Sequence, residues 1–230
     1  VFSYHFRSQA KFNKSYIIDR YVNGCKLGEL SDTKLGFPCW RPNAIFGNRA
    51  NGISTDRVAM GSGLFFFDLD FKEDLKDPQK ADWNEVQKLD KTIEAYKQHI
   101  LASFEDEILI IYKSITRTGL HIILNGIETP NEHEFKKAWN IYREFLSGHF
   151  PYLDKYFDDS CKNLNRAAFI GSDENIIINN NSYPLRNVKS LHHVKSVTNV
   201  QRRFAIVQCN VINNKTPEGR RYIKANVDHS

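Results

Sequence analysis

Seven residues, Leu64-Phe65-Phe66-Phe67-Asp68-Leu69-Asp70, constrain this chain more than any other stretch. The run is apolar and aromatic and follows Gly61-Ser62-Gly63, which marks a strand bounded by a turn. Strand side chains alternate with period two, so Asp68 and Asp70 point to one face at the strand's end. Two neighbouring carboxylates repel each other and lose hydration, and a divalent cation relieves both costs. Hard oxygen ligands of this kind suit magnesium or manganese. A D-x-D pair standing alone fits a solvated strand end better, with Glu73 and Asp74 continuing the charge. The remaining chain has to decide.

Its periodicity supplies the frame. Apolar residues at Trp83, Val86, Leu89, Ile93, Tyr96, Ile100 and Leu101 predict an amphipathic helix over Asp82 to Ala102. Glu107 to Lys113 reads as a buried strand and Leu120 to Leu124 as its hairpin partner, joined by a turn with Arg117 and Gly119. Pro130-Asn131 opens a second helix, with Phe135, Ala138, Trp139, Tyr142, Phe145 and Leu146 on one face, ending near Gly148 and Pro151. Arg166 to Ile170 is a fourth strand and Ile176 to Ile178 a short fifth. The order is β-α-β-β-α-β, which predicts an α+β fold with an RRM-like (ferredoxin-like) antiparallel sheet and helices on one face. That topology orders the strands 4-1-3-2, with Leu64–Asp70 central. Before it, Phe2 to Phe6 reads as a strand and Ser15 to Val22 as a short helix. Gly, Pro, Asn and Ser recur from Gly24 to Gly63, as in short strands and turns. The chain thus divides into an N-terminal stretch (1–63), the RRM-like module (64–185) and a basic segment packing on the core (186–230).

Under the 4-1-3-2 order three distant segments reach the end of the first strand. His121 is expected beside Asp70. A His within a strand is more often a hydrogen-bonded core residue, but this one follows Ser114-Ile115-Thr116-Arg117-Thr118-Gly119. Such a turn offers backbone N–H groups, hydroxyls and a guanidinium to a phosphate. Phe157-Asp158-Asp159-Ser160 supplies a third carboxylate. Asp159 is narrowly preferred as the ligand, and Asp158 fits a turn residue or the alternative ligand. Arg166, seven residues after Asp159, faces the same cleft. Asp173 reads as a turn residue. Two ions bridged by carboxylates serve in-line phosphoryl chemistry. The predicted reaction is nucleotidyl transfer, in which a hydroxyl attacks the α-phosphate of a nucleoside triphosphate.

Charge fits a polyanionic partner. Between Arg186 and Lys224 nine basic residues stand against Glu218, a local +8 in a chain of net charge +5. A solvated Lys-rich surface accounts for charge alone equally well. The hydrophobic fraction of 41%, with sixteen Phe and ten Tyr, excludes a disordered chain. Cys25, Cys39, Cys161 and Cys209 form no C-x-x-C pair, so a structural zinc is not expected and a reducing cytoplasm is the default location. No apolar run is long enough for a bilayer. The chain starts at Val1 and has Met60 as its single methionine, as expected of one domain of a larger protein.

These residues resemble the archaeo-eukaryotic primase superfamily, and within it the primase-polymerases, over about Asn43 to Asn179. The first family motif, D-x-D or D-x-E ending a hydrophobic strand, is matched by Asp68-Leu69-Asp70. The second, a turn followed by His, looks like Thr116 to His121, with Gly119 where Ser is usual; Thr118 or Ser114 is then the substitute hydroxyl. The third, an Asp followed by an Arg, is matched by Asp159 and Arg166. The resemblance implies an N-terminal α/β module (1–63) beside the RRM-like sheet with the active site between them, and catalysis by Asp68, Asp70, His121 and Asp159, with two magnesium or manganese ions on the three carboxylates. It implies triphosphate binding by Ser114, Arg117, Thr118, Gly119, His121 and Arg166. A DNA template or primer and dNTPs or NTPs are the implied partners, in a replication, repair or CRISPR-associated protein. Arg49, Arg57, Arg202, Arg203, Arg220 and Arg221 are the candidate nucleic-acid contacts, with exposed surface arginines as the plain alternative. The zinc motif of the cellular primase small subunit is absent. Two other classes compete. A metal-dependent nuclease has less need of the Arg-Gly-His turn. A non-catalytic RRM-like single-strand binder wants aromatics on its central strands, which Leu120 to Leu124 lacks.

Overall fold

The computed structural model describes residues 2–30, 36–46, 58–197, 215–216 and 219–220. It is a mixed helical and antiparallel-sheet protein, as the periodicity predicts. Strand β4 (Leu64–Asp70) leads to helix α3 (Trp83–Phe104), then to the hairpin β5 (Ile108–Lys113) and β6 (Gly119–Asn125), then to helix α4 (Glu132–His149). Both helices start where the sequence says. The Asp82 carboxylate accepts from Asn84 N and Glu85 N, and Asn131 accepts from Glu134 N, so each cap satisfies backbone donors that the helix leaves open. Phe65 stacks on Phe135 and Phe67 on Trp139, at centroid distances of 5.0 and 5.2 Å. These odd-numbered side chains seal the helix-covered face. Phe66 and Asp68 take the other face by strand alternation.

The sheet order is β4-β6-β5-β8, where β8 is Ile177–Ile178. This corrects the expected 4-1-3-2 order in one place. The stretch Arg166 to Ile170 does not pair with β4. It narrows to β7 (Ala168–Phe169), which pairs antiparallel with β1 (Cys39–Trp40). The free edge of β4 is closed by single groups instead of a strand. Asn43 Oδ1 accepts from Phe66 N, Trp139 Nε1 donates to Phe66 O, and Asp158 N donates to Asp68 O at 2.8 Å. An isolated bridge joins Leu69 to Phe157. With these backbone groups satisfied, no fourth strand is needed there.

The N-terminal expectation also changes. The Phe2–Phe6 strand and the Ser15–Val22 helix are one helix, α1 (Phe2–Val22). Phe6, Ala10, Asn13, Ile17 and Tyr21 are buried, at steps of three and four residues. Exposed Tyr4 and Phe12 and buried Asn13 blur that stripe, and the alternation in Phe2 to Phe6 imitates a strand. Helix α1 lies on the open face of the sheet. Phe6 meets Tyr112 edge-on, Asn13 Nδ2 donates to Ile170 O, and Tyr21 OH donates to Thr116 O at 3.1 Å. Between Gly24 and Gly63 the described residues form α2 (Leu27–Leu30), β1, and the pair β2 (Ala44–Phe46) and β3 (Val58–Gly61). Residues 186–197 lie against the core through Leu191 and Val194. Beyond them only the short strands β9 (Lys215–Thr216) and β10 (Gly219–Arg220) are described. No described helix is long and apolar enough to cross a membrane.

Candidate active site

The register of β4 on β6 decides what stands next to the D-x-D. His121 pairs with Asp68, and Gly119 pairs with Asp70. The expected neighbour of His121 was Asp70, two residues further along the same face. His121 Nε2 lies 3.3 Å from Asp68 Oδ1. The ring is buried edge-on between Phe66 and Tyr112, at centroid distances of 5.2 and 4.9 Å. Gly119 is there because the strands approach closely: a Cβ at that position meets Leu69 O at 2.8 Å.

The third segment arrives through residues 157–166. Asp158, not Asp159, meets Asp68. Asp158 caps a 3-10 turn, Asp159–Lys162, by accepting from Ser160 N at 2.8 Å, and its own N–H is fastened to Asp68 O. Arg166 bonds Asp158 Oδ2 at 2.7 Å and approaches Asp68 Oδ2 at 3.7 Å. One guanidinium is shared by two carboxylates. Asp159 turns outward to Arg143 and Lys162, at 3.7 and 3.6 Å. Asp70 keeps to the same face as Asp68 but is paired with Lys72 at 2.7 Å.

Asp68, His121 and Arg166 line a cleft of about 200 Å³ together with Ser114, Ile115, Phe66, Ala167 and Phe169. Two of these side chains are buried with an unpartnered polar atom, Ser114 Oγ and His121 Nδ1. Cys161 completes the group. One ligand atom each of Asp68, Asp158 and Cys161 lies within 4.8 Å of the others. Burial pushes the Cys161 thiol up from its ordinary value, and the Asp68 carboxylate adds to the rise. Burial likewise raises the Tyr112 phenol. The sequence signal for Cys161 is its place three residues after Asp158.

The rest of the predicted turn is placed elsewhere. Arg117 has a left-handed backbone, φ 63°, and points away from the cleft. It is buried, with NH2 2.7 Å from Asp90 Oδ2 and NH1 donating to Ser172 O at 2.7 Å. Around it Lys113 pairs with Asp90 and Glu94 at 3.1 and 2.7 Å, and Lys97 with Asp173 at 2.6 Å. Asp173 is therefore a buried ion-pair member as well as a turn residue accepting from Asn175 N. Thr118 is buried and its hydroxyl meets that of Thr116 at 3.0 Å. Arg49, Arg57, Arg202, Arg203 and Arg221 lie outside the described residues, and Arg220 is placed by its backbone alone.

No protein-family profile, curated protein or solved structure matches this chain.

Proposed function

We propose that the chain is a metal-dependent nucleotidyltransferase of the primase-polymerase kind, acting on a DNA template and primer with nucleoside triphosphates. The observation that carries this reading is the meeting of Asp68, His121 and Arg166 at one cleft, with Asp158 bonded to Arg166 beside it, from three segments far apart in sequence. The antiparallel β4-β6-β5 core with α3 and α4 on one face is the RRM-like part of the proposal. Two carboxylates fixed this close suit a hard divalent ion, magnesium or manganese. Asp68 and Asp158 would hold it, with Asp70 as the further carboxylate on their face, now engaged by Lys72. When bound, such an ion lowers the pKa of an attacking hydroxyl and stabilises the leaving oxygen.

The protein's own groups prepare the site. The Asp158 N–H to Asp68 O bond sets the spacing of the two carboxylates. Arg166 neutralises part of their repulsion and is the cation that an incoming phosphate draws away. His121 and Ser114 present buried polar atoms to the same cleft. At about 200 Å³ the cleft suits a phosphate chain better than a whole nucleotide, leaving sugar and base outside it.

Primer extension with manganese, a primed template and all four dNTPs tests the reading. Extension is expected from the wild type and is lost in Asp68→Ala and Asp158→Ala, whereas Asp159→Ala reduces it far less. Shortening of the primer instead identifies a nuclease. Binding of single strands without either product identifies a passive module.

A further inference from the structure

An RRM-like sheet offers its open face to single strands, whose bases stack on aromatic side chains there. In this protein α1 covers that face: Phe6 meets Tyr112 edge-on at 6.2 Å, and Asn13 Nδ2 donates to Ile170 O at 2.8 Å. The outer side of the covering helix is not the polar surface expected of a helix that only packs. Of the six large hydrophobic side chains exposed among the described residues, four lie on α1: Tyr4, Phe12, Tyr16 and Val22. Three of these fall in one row. Tyr4, Ser8, Phe12, Tyr16 and Arg20 follow at steps of four, which sets them on a single ridge of the helix, successive members about 6 Å apart along its axis. The ridge beside it holds Arg7, Lys11, Ser15 and Asp19, all exposed. Tyr16 meets Phe37 edge-on at 5.8 Å, which extends the aromatic row beyond the helix.

We infer that the outer face of α1 binds single-stranded nucleic acid, with bases on the aromatic ridge and phosphates on the basic one. The inference goes beyond the proposed reaction, because none of the groups that bind here belongs to the cleft. Aromatic rings accept any base by stacking, so the surface tolerates sequence. Charge selects the occupant. Helix α1 carries Arg7, Lys11, Lys14 and Arg20 against the one acid Asp19. Lys14 is engaged by Glu174, whereas exposed Arg7 and Lys11 stand one ridge from Tyr4 and Phe12. That balance favours a polyanion over a second copy of the chain, whose own basic ridge would be brought against this one. A single strand fits better than a duplex, since bases stacked within a duplex offer no face to Tyr4 and Phe12. Tyr21 OH donates to Thr116 O at 3.1 Å, so the same helix is fastened to the turn beside the cleft.

The test is fluorescence anisotropy of a labelled oligothymidylate titrated with the full chain, beside a duplex of the same length. Tyr4→Ala and Phe12→Ala each weaken the single strand by at least about fivefold, the loss of one stacked base, and leave the duplex unchanged. Arg7→Gln and Lys11→Gln each lower the slope of log affinity against log salt by about 0.7, one phosphate contact on a single strand. All four side chains are exposed, and equal thermal melts check that the fold is kept. Single-strand affinity unchanged in both aromatic variants overturns the inference, as does an equal loss for single strand and duplex. A wild type that self-associates, with Phe12→Ala monomeric and single-strand affinity intact, also overturns it and assigns the face to a second copy. The proposed reaction is judged separately. A wild type that binds the strand through α1 but extends no primer sinks the polymerase reading and leaves this surface standing. Primer extension with strand affinity indifferent to Tyr4 and Phe12 does the reverse.

Discussion

Two groups of charged residues touch the turn between β5 and β6, and they are built on opposite lines. Behind the turn, Asp90, Glu94 and Asp173 meet Lys97, Lys113 and Arg117, three acids against three bases, and the contacts run between them. In front of it, Asp68 and Asp158 share the single guanidinium of Arg166, next to a His and a Ser with unpartnered atoms. The first group closes on itself save at Arg117 Nε, which is buried without a hydrogen-bond partner. Its geometry fixes α3, the hairpin and the 171–175 loop in one arrangement, the specifying role that buried polar groups can serve. The second group leaves polar capacity unused at a cleft, the condition of a site that takes something in. A list of the charged residues near this turn does not separate the two. Pairing and burial do.

The largest expected effect comes from breaking the closed group. Lys97 is fully buried, with its ammonium on Asp173 and on Asn175 O at 2.6 Å each. Lys97→Met leaves the Asp173 carboxylate buried without its ammonium, which costs about 3–5 kcal/mol. Urea unfolding measures it. A loss below about 1 kcal/mol, the range of an exposed pair, places this network with ordinary surface ion pairs. The open group predicts the contrary. The Asp68 side chain is 22% exposed, and Arg166 keeps its shorter bond to Asp158 when Asp68 is neutralised. Asp68→Asn therefore changes the unfolding free energy by no more than about 1 kcal/mol while abolishing extension. A loss of several kcal/mol moves Asp68 into the structural class and dissolves the contrast.

How far the sequence reveals this contrast depends on the range of the interactions involved. The D-x-D strand, the two capped helices and the hairpin are legible because each is encoded within a few residues: period-two or period-3.6 patterns, Asp82 and Asn131 at the caps, Gly119 where strands crowd. The position of Arg166 to Ile170 is not, because it depends on which backbone groups of β4 remain open. Asn43 and Trp139, 23 and 73 residues away from Phe66, close them. The choice between Asp158 and Asp159 turns on one peptide step in a 3-10 turn, which sequence spacing does not resolve. Arg117 is misleading for a physical reason. An Arg in a Ser/Thr-rich turn has the right chemistry for phosphate, but its partner Asp90 sits on α3, one helix earlier. Lys97 and Asp90 carry the only local hint, charged residues falling on the buried face of an amphipathic helix.

The smallest effect is the most specific to the closed group. Burial works against ionisation of Glu94, but its hydrogen bonds with Lys113 and Gln98 and the charges of Lys97 and Lys113 outweigh that cost. Its carboxyl is held below the ordinary value of 4.5. A carboxyl that is more acidic in the folded state contributes stability above its unfolded value, and loses it as pH falls through the lowered folded value. Glu94→Gln therefore melts below the wild type at neutral pH. The gap between the two closes only under conditions more acidic than 4.5. Thermal melts of both proteins across that range measure the gap. A gap that persists at the acid end means that Glu94 contributes by packing against α3 and β5, and that charge balance is not what holds the group behind the turn together.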